Sequence, residues 1–476
     1  MCAPAIRPVA LSARDRYCRL FPQSKTPFTE ELDHQLERLA ASMASNETPI
    51  APEVRPLKGR LPAGYTYFGQ FIDHDLTHDD TPVPLPPAEI DPAAIRNRRT
   101  EFLHLQTLYG DGPDSATSQS LFATDGVSFQ IGDLLPDGSC IDVPLDDAGK
   151  PLVADPRNIE NTIVRQLTAM FLQLHNLAAD EAARENGGSG SPAQWFASAR
   201  ERVCQQYQWL VRYDFLPKIC DAATAALVRR GEGRFFEWRE GEFSIPIEFA
   251  QAAFRFGHSA VKQKYRLRGN REVGLAELFG GHGSVGPLSA SDAVDWAEFL
   301  NAGGNRQFAH LIDTAIVRDL FHVPERSSAT FAAAGGRGRA TAGMLPLRTL
   351  RRGAACRLCS GETARALLEG QHAELSSCSE GDSASDARNS AAAGFSGETP
   401  LWYYVLLEAE LTEQGKRLGH VGSRIVAGTI EGALYANSQS IVHQPLGWRP
   451  KPWRGRDGSE VQVDTLYDLV RLVGLS

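Results

Sequence analysis

Long apolar runs are missing from this 476-residue chain, and none of its stretches is long enough to span a bilayer. The first residues, Met1 to Pro22, carry Arg7, Arg14, Asp15, Arg16 and Arg19 around no continuous apolar core, so the start does not read as a secretory leader. Positive charge is not in excess. Lys and Arg total 49 against 58 Asp and Glu, and the net charge of −9 argues against a nucleic-acid or anionic-membrane surface. Cysteine is sparse for the length: eight residues, scattered at 2, 18, 140, 204, 220, 356, 359 and 378, make no disulfide framework. The lone CxxC, Cys356-Arg-Leu-Cys359, has no second pair and no nearby histidine to complete a zinc site. A cytoplasmic location is the expectation. Internal repeats and a glycine-rich phosphate loop are also absent. What remains is 42% hydrophobic and 22% charged, a globular chain with ample core.

Residues 28 to 47 carry leucines at 32, 36 and 39 behind Thr29, a capped surface helix. Proline-rich connectors follow at 49 to 62 and 82 to 92. The segment Thr100 to Pro113 reads as an extended, ligand-like loop, and 128 to 153 as short strand-and-turn material punctuated by Gly132, Pro136, Gly138, Pro144 and Gly149. Asp155 and Pro156 open a helix whose Ile159, Ile163, Leu167, Met170, Leu174 and Leu177 line one face. A long aromatic-rich helix is expected over Pro192 to Tyr213, another element from Ser244 through Val261, and closing helices over Leu401 to Glu410 and Val421 to Leu434. Phe331 to Met344 reads as a mobile loop. Residues 374–398 read as a low-complexity, disordered insertion.

Three places break local rules and so point to chemistry. In Tyr65 to Thr77, a helix starting after Gly64 puts Gln70, Asp73, His74 and Thr77 on one face, within an apolar and aromatic run. Such a face needs partners when buried. A capped helix with a satisfied core histidine is one reading; a non-haem metal site using His74 and His78 among Asp73, Asp75, Asp79 and Asp80 is another. Arg157 stands in a first helical turn, where the dipole favours an anion, so it is either exposed or functional. Arg255 and His258 share a face near Ala252, Gly257 and Ala260, residues small enough to let something flat approach the backbone.

Gly69-Gln70-Phe-Ile-Asp73-His74-Asp75, then Asp-Pro-Arg157-Asn-Ile-Glu160 with His175-Asn176, then Phe-Arg255-Phe-Gly-His258 resemble, in order and internal spacing, three landmarks of the animal-type haem peroxidases of the peroxidase-cyclooxygenase superfamily. The similarity runs from about Leu61 to Trp448, and the shorter form with Leu347-Arg-Thr-Leu-Arg-Arg352-Gly is similar to the bacterial branch. The resemblance implies a mainly α, single-domain helical fold around a buried haem, with an N-terminal arm at 1–60 and the haem peroxidase domain at 61–476. It implies haem b as cofactor, His258 as axial iron ligand, His74 as the acid and base acting on peroxide, and Arg157 as a fixed positive charge. Gln70 would hold water or halide, Arg255 would pair with a haem propionate, Arg352 would be a further cofactor-binding residue, and Asp73 and Glu160 occupy positions where some members form ester links. The implied function is reduction of hydrogen peroxide and oxidation of a small organic donor or halide through a ferryl intermediate. The alternative is a non-catalytic haem-binding sensor or structural protein of the same fold. A fatty-acid dioxygenase is disfavoured because Arg255 stands where those relatives place a tyrosine.

Two departures carry expectations of their own. Alignment on Arg352 puts Thr349 where the family has an Asn accepting from the axial histidine, which alters the tuning of the iron. In the family's calcium loop, His104 and Gln106 replace two oxygen-rich positions after Thr100 and Phe102, so weak calcium or none is expected. A protonated His104 donating to Asp75 would brace the loop without metal. Asn161, standing where a methionine forms a sulfonium link, excludes that third link.

Overall fold

The computed structural model describes residues 9–10, 17–45, 59–322, 344–371 and 398–475, apart from short breaks at 80, 82, 85, 92–93, 101, 186–188, 239–242, 281–285, 305 and 456–457. The loop expected at 331–344 and the insertion expected at 374–398 fall outside these residues except for Met344 and Glu398. The fold is mainly helical. Strands occur among the described residues only as four two-stranded ribbons of two to four residues each. In place of strands over 128–153 there are isolated bridges, Phe122 with Phe129 and Leu145 with Pro151. No helix among the described residues is long and apolar enough to cross a membrane.

Helix α1 (Glu30–Ser42) is capped as expected, Thr29 accepting from the Leu32 amide at 3.3 Å, and it buries Leu36 and Leu39. Tyr17, Leu20, Phe21 and Phe28 enter the same apolar core as the rest of the chain. Helix α2 (Ala63–Leu76) has no side-chain cap; Pro62 is extended, and the Ala63 amide donates to the Gln307 carbonyl at 2.9 Å. Its apolar side stacks Phe71 on Phe171 (5.1 Å between centroids), with the Tyr207 ring set edge-on to both. Gly69 lets α2 pack closely: a Cβ there would lie 3.3 Å from the Phe215 ring. These partners come from α3 (Thr162–Glu185) and from α4 (Pro192–Trp209) with its extension. A capping box of Ser191 and Gln194 opens α4, which widens into a π-helical turn over Leu210–Phe215. In that turn Arg212 pairs with Glu431 at 2.7 Å, and Asp214 accepts from the Tyr65 hydroxyl at 2.7 Å.

The element expected over 244–261 is not one helix. It divides into α5 (Ile247–Gln251), a 3₁₀ turn (Ala253–Phe256) and α6 (Gly257–Ala260), with a break at Ala252 (φ −138°, ψ −76°). Side chains satisfy the carbonyls that a continuous helix would have used: Arg255 Nε donates to the Ala250 carbonyl at 2.7 Å, and Trp402 Nε1 to the Arg255 carbonyl at 3.1 Å. The segment Thr100–Pro113 also departs from an extended loop, because a helical turn forms over Gln106–Tyr109. Helices α7 (Leu345–Ala355), α8 (Gly361–Gln371), α9 (Leu401–Glu413), α10 (His420–Ala436) and α11 (Leu466–Leu472) complete the body.

Candidate active site

The C-terminal half of α2 carries His74, buried at 4% exposure. Its Nδ1 lies 2.8 Å from the Asn158 side-chain oxygen, and Asn158 is oriented by its own amide, which donates to the Thr107 carbonyl and hydroxyl at 3.2 and 3.1 Å. With an acceptor fixed at Nδ1, the proton sits there and Nε2 keeps a free lone pair. Burial, reinforced by the positive charge of Arg157, lowers the His74 pKa to about 4, so the ring is neutral around pH 7.

Arg157 belongs to the 3₁₀ turn Pro156–Ile159, capped by Asp155 as the sequence suggested. Its odd position in a first turn is explained by a buried partner. Its Nη2 donates to Asp155 at 2.7 Å and to the His74 carbonyl at 2.8 Å, and its Nη1 to the Thr77 carbonyl at 2.7 Å. Burial alone would raise the Asp155 pKa, but Arg157 holds its carboxyl well below the usual carboxylate range. The guanidinium therefore clasps the end of α2 as well as placing a charge beside His74. Gln70, one turn before His74, accepts from Asn161 Nδ2 at 3.1 Å. That contact leaves the Gln70 amide nitrogen as the end available to the site.

The opposite wall comes from α6. His258 Nδ1 lies 3.4 Å from Thr349 Oγ1, whose own proton goes to the Leu345 carbonyl at 3.0 Å, so the hydroxyl is the acceptor. His258 Nε2 makes no hydrogen bond among the described residues. Burial and the adjacent Arg255 lower the His258 pKa to about 3. Of the three small residues singled out here, Ala252 and Ala260 are fully buried, and Gly257 alone opens outward, a Cβ there meeting nothing within 4 Å.

Between the walls, Asp73 joins the two sides: Arg255 Nη1 lies 3.3 Å from its carboxylate, which also accepts from Thr77 Oγ1 at 2.9 Å. Arg352 pairs with Asp79 and donates to the Thr81 carbonyl, while Gln251 donates to Asp79 at 3.1 Å. Arg348 belongs to the same cluster; burial and then Arg255 lower its pKa. Burial raises Glu160 to about 7 against the opposing pull of Arg157. The donor set fits a flat iron cofactor with two carboxylates: a neutral imidazole with a free Nε2 and an open glycine beside it, and a cluster of arginines at the edge, two of them paired with the Asp73 and Asp79 carboxylates. A cavity of about 340 Å³ lies behind this wall, lined by Leu36, Thr349, Leu350 and Trp402 but by none of His74, Arg157, Arg255 or His258, so it is a separate space.

The segment from Thr100 to Thr107 differs from expectation in its brace. Asp75, fully buried, accepts from the Leu105 and Thr107 amides at 3.0 and 3.3 Å. His104 places its nitrogens on the Phe102 carbonyl (2.9 Å) and Thr100 hydroxyl (3.0 Å), and burial lowers its pKa, so a protonated His104 donating to Asp75 is not the arrangement. Gln106 accepts from the Thr100 amide at 2.9 Å. No group of three or more His, Cys, Asp or Glu side chains suited to a metal occurs among the described residues, the His74 and His78 grouping included. Sequence reasoning missed Asn158, Arg348 and Trp402. Asn158 was legible as the neighbour of Arg157; Trp402 lies in an ordinary apolar helix and carried no signal.

A sequence-family profile described as animal haem peroxidase matches residues 83–285, which take in Arg157, Glu160, Arg255 and His258. The chain is 28% identical over 201 residues to the chorion peroxidase of Drosophila melanogaster, a match covering 39% of this chain and only 24% of that protein's length. Among solved structures it superposes on peroxidase A from Dictyostelium discoideum with a TM-score of 0.60 at 15% identity, covering 100% of this chain and 94% of that one. It also superposes on the fatty acid alpha-dioxygenases of Arabidopsis thaliana (TM-score 0.62, 12% identity, 98% and 76% covered) and Oryza sativa (0.63, 13%, 92% and 83%). At these identities the structural likeness speaks for the fold alone.

Proposed function

We propose that the chain, whose residues 83–285 match the animal haem peroxidase family, is a working haem peroxidase, reducing hydrogen peroxide and oxidising a small organic donor or halide. The observation that supports this reading is the pair of neutral imidazoles, His74 buried and His258 half-buried, each anchored at Nδ1 and lying on elements that the Asp73–Arg255 ion pair joins. His258 would hold the iron, and Arg255, Arg348 and Arg352 the propionates. The bound haem supplies the oxidising power drawn from peroxide. His74 Nε2 takes the proton of the peroxide and returns it to the departing oxygen, a cycle that a neutral ring with a pKa near 4 can begin at pH 7. Arg157 fixes the backbone that presents His74 and adds positive charge beside the separating oxygens. Gln70 orients water or halide through its amide nitrogen.

A protein that only retained haem would have no need of the Asn158 anchor behind His74, which favours catalysis over a sensor role. In the dioxygenase reading a tyrosine would stand at position 255, but there Arg255 is tied to Ala250 and Asp73. The deciding experiment is the absorption spectrum of purified, haem-loaded protein before and after a slight excess of hydrogen peroxide, with a phenolic donor added last. A Soret band that shifts with peroxide and returns with donor is expected. A haem spectrum indifferent to peroxide would leave the binding-protein reading.

A further inference from the structure

Arg424, on the second turn of α10, is 1% exposed, yet none of its guanidinium nitrogens has a hydrogen-bond partner among the described residues. One face of the group lies over the Phe235 ring at 4.1 Å, which stabilises the charge but leaves every N–H at the edge unused. Native interiors rarely leave a buried cation in this state, because burial without a counter-charge is far more expensive than a ring face can offset.

The charge of Asp221 acts on Arg424, but no hydrogen bond joins them among the described residues, and the neighbouring carboxylates are committed elsewhere. Asp221 caps another helix, accepting from the Thr224 amide and hydroxyl at 2.9 and 2.6 Å. Glu408 takes the Val421 amide at 2.9 Å, and burial pushes its pKa up to about 7. Glu431 is held by Arg212, and Glu369 by Arg365. One helical turn before Arg424, on the same face, His420 Nε2 is also buried without a hydrogen-bond partner among the described residues. Two donors one turn apart lie at the positive end of a 17-residue helix, with no acceptor among the described residues.

We propose that Arg424 and His420 bind a small inorganic anion, of halide or nitrate size, in the interior between α10 and the segment that carries Phe235. The size follows from burial: Arg424 is 1% exposed, so the edge of its guanidinium is closed to a bulky organic acid. A neutral His420 donates through Nε2–H and Arg424 through its edge, and the bound anion neutralises the guanidinium. The role is structural: this site lies on α10, apart from the residues named around His74 and His258.

The test is thermal unfolding of the full-length haem-loaded protein at constant ionic strength, replacing sodium gluconate stepwise by sodium chloride or bromide. The midpoint should rise saturably, by roughly 2 °C or more at high halide, since a ligand bound only by the folded state stabilises by mass action. In Arg424→Met that rise should vanish, and a bromide-soaked crystal should show an anomalous peak within hydrogen-bonding distance of Arg424. Halide entering near His74 is separated by the Soret band, which reports there and should respond equally in both proteins. If Arg424→Met does not fold, His420→Ala, with one donor fewer, should shift the halide midpoint to higher concentration. Equal midpoints in gluconate and chloride, an undiminished rise in the variants, or no bromide beside Arg424 would each overturn the site.

Discussion

The two imidazoles of the candidate site are built by one device at two strengths. Both are made neutral chiefly by burial, and both carry the proton on Nδ1 because an oxygen accepts it. At His74 the acceptor is an amide oxygen at 2.8 Å, itself held by two further hydrogen bonds, on a fourteen-residue helix clasped by Arg157. At His258 it is a hydroxyl at 3.4 Å, and the ring sits on a four-residue helix. On the proposed function, the side that would move protons is braced, while the side that would only donate a lone pair is held loosely.

The largest effect expected is at His74 itself. Replacing it by Ala removes a positioned acid and base, which contributes roughly a hundredfold or more; stopped-flow rates with peroxide should fall by at least that much. Rates within a few-fold of the parent would mean that the braced ring is scenery. Asn158→Ala should come next, leaving His74 in place but freeing its tautomer, with a loss of roughly tenfold from one broken buried hydrogen bond. Haem content should be unchanged, and a loss equal to that of His74→Ala would show that Asn158 does more than orient.

The same comparison predicts a pH dependence. A histidine whose folded pKa is depressed below its ordinary value favours the neutral form on folding, so its share of stability is present above pH 6.5 and lost as pH falls through about 4. The peroxide rate should therefore keep its base until about pH 4. An acid limb centred at 6.5 would place His74 in water rather than in the interior described here.

How much of this was legible in sequence follows the same division. Gln70, Asp73 and His74 were readable because a helix of known period puts them on one face, and Arg157 because it violates the preference of a first turn. The consequence of Arg157 was not readable: that its donors would go to Asp155 and to two carbonyls of α2 depends on how a distant turn docks, which no local rule states. The breaks at Ala252 were hidden for a like reason. The apolar period continues through 244–261, and only tertiary donors, Arg255 and Trp402, take over the carbonyls.

A third region sharpens the contrast, since Asp75 follows His74 directly and could transmit disorder to it. In this loop backbone amides occupy the carboxylate that a hard cation would need. A chelator should leave haem content and the unfolding midpoint unchanged, whereas Asp75→Ala, which strands two buried N–H groups, should destabilise by about 1–3 kcal/mol. Stoichiometric calcium, lost on chelation together with activity, would reverse this reading of the loop.

The smallest effect should lie on the loosely held side. Thr349 Oγ1 accepts from His258 Nδ1 while donating to Leu345, so it draws proton density from the ring and strengthens Nε2 as a ligand, though weakly at 3.4 Å. Thr349→Val removes the acceptor with little change of shape, and Thr349→Asn offers an amide oxygen like the one that serves His74. An acceptor that strengthens the ligand stabilises the higher charge on iron, so the reduction potential should rise in the Val variant and fall in the Asn variant. A hydrogen bond of this kind is worth about 1 kcal/mol, which converts to shifts of roughly 20–60 mV for one electron. The peroxide rate, governed at His74, should change by only a few-fold. Spectroelectrochemical titration of the three proteins decides it. Three identical potentials would show that the 3.4 Å contact carries no hydrogen bond and that the two histidines differ in kind, not in degree.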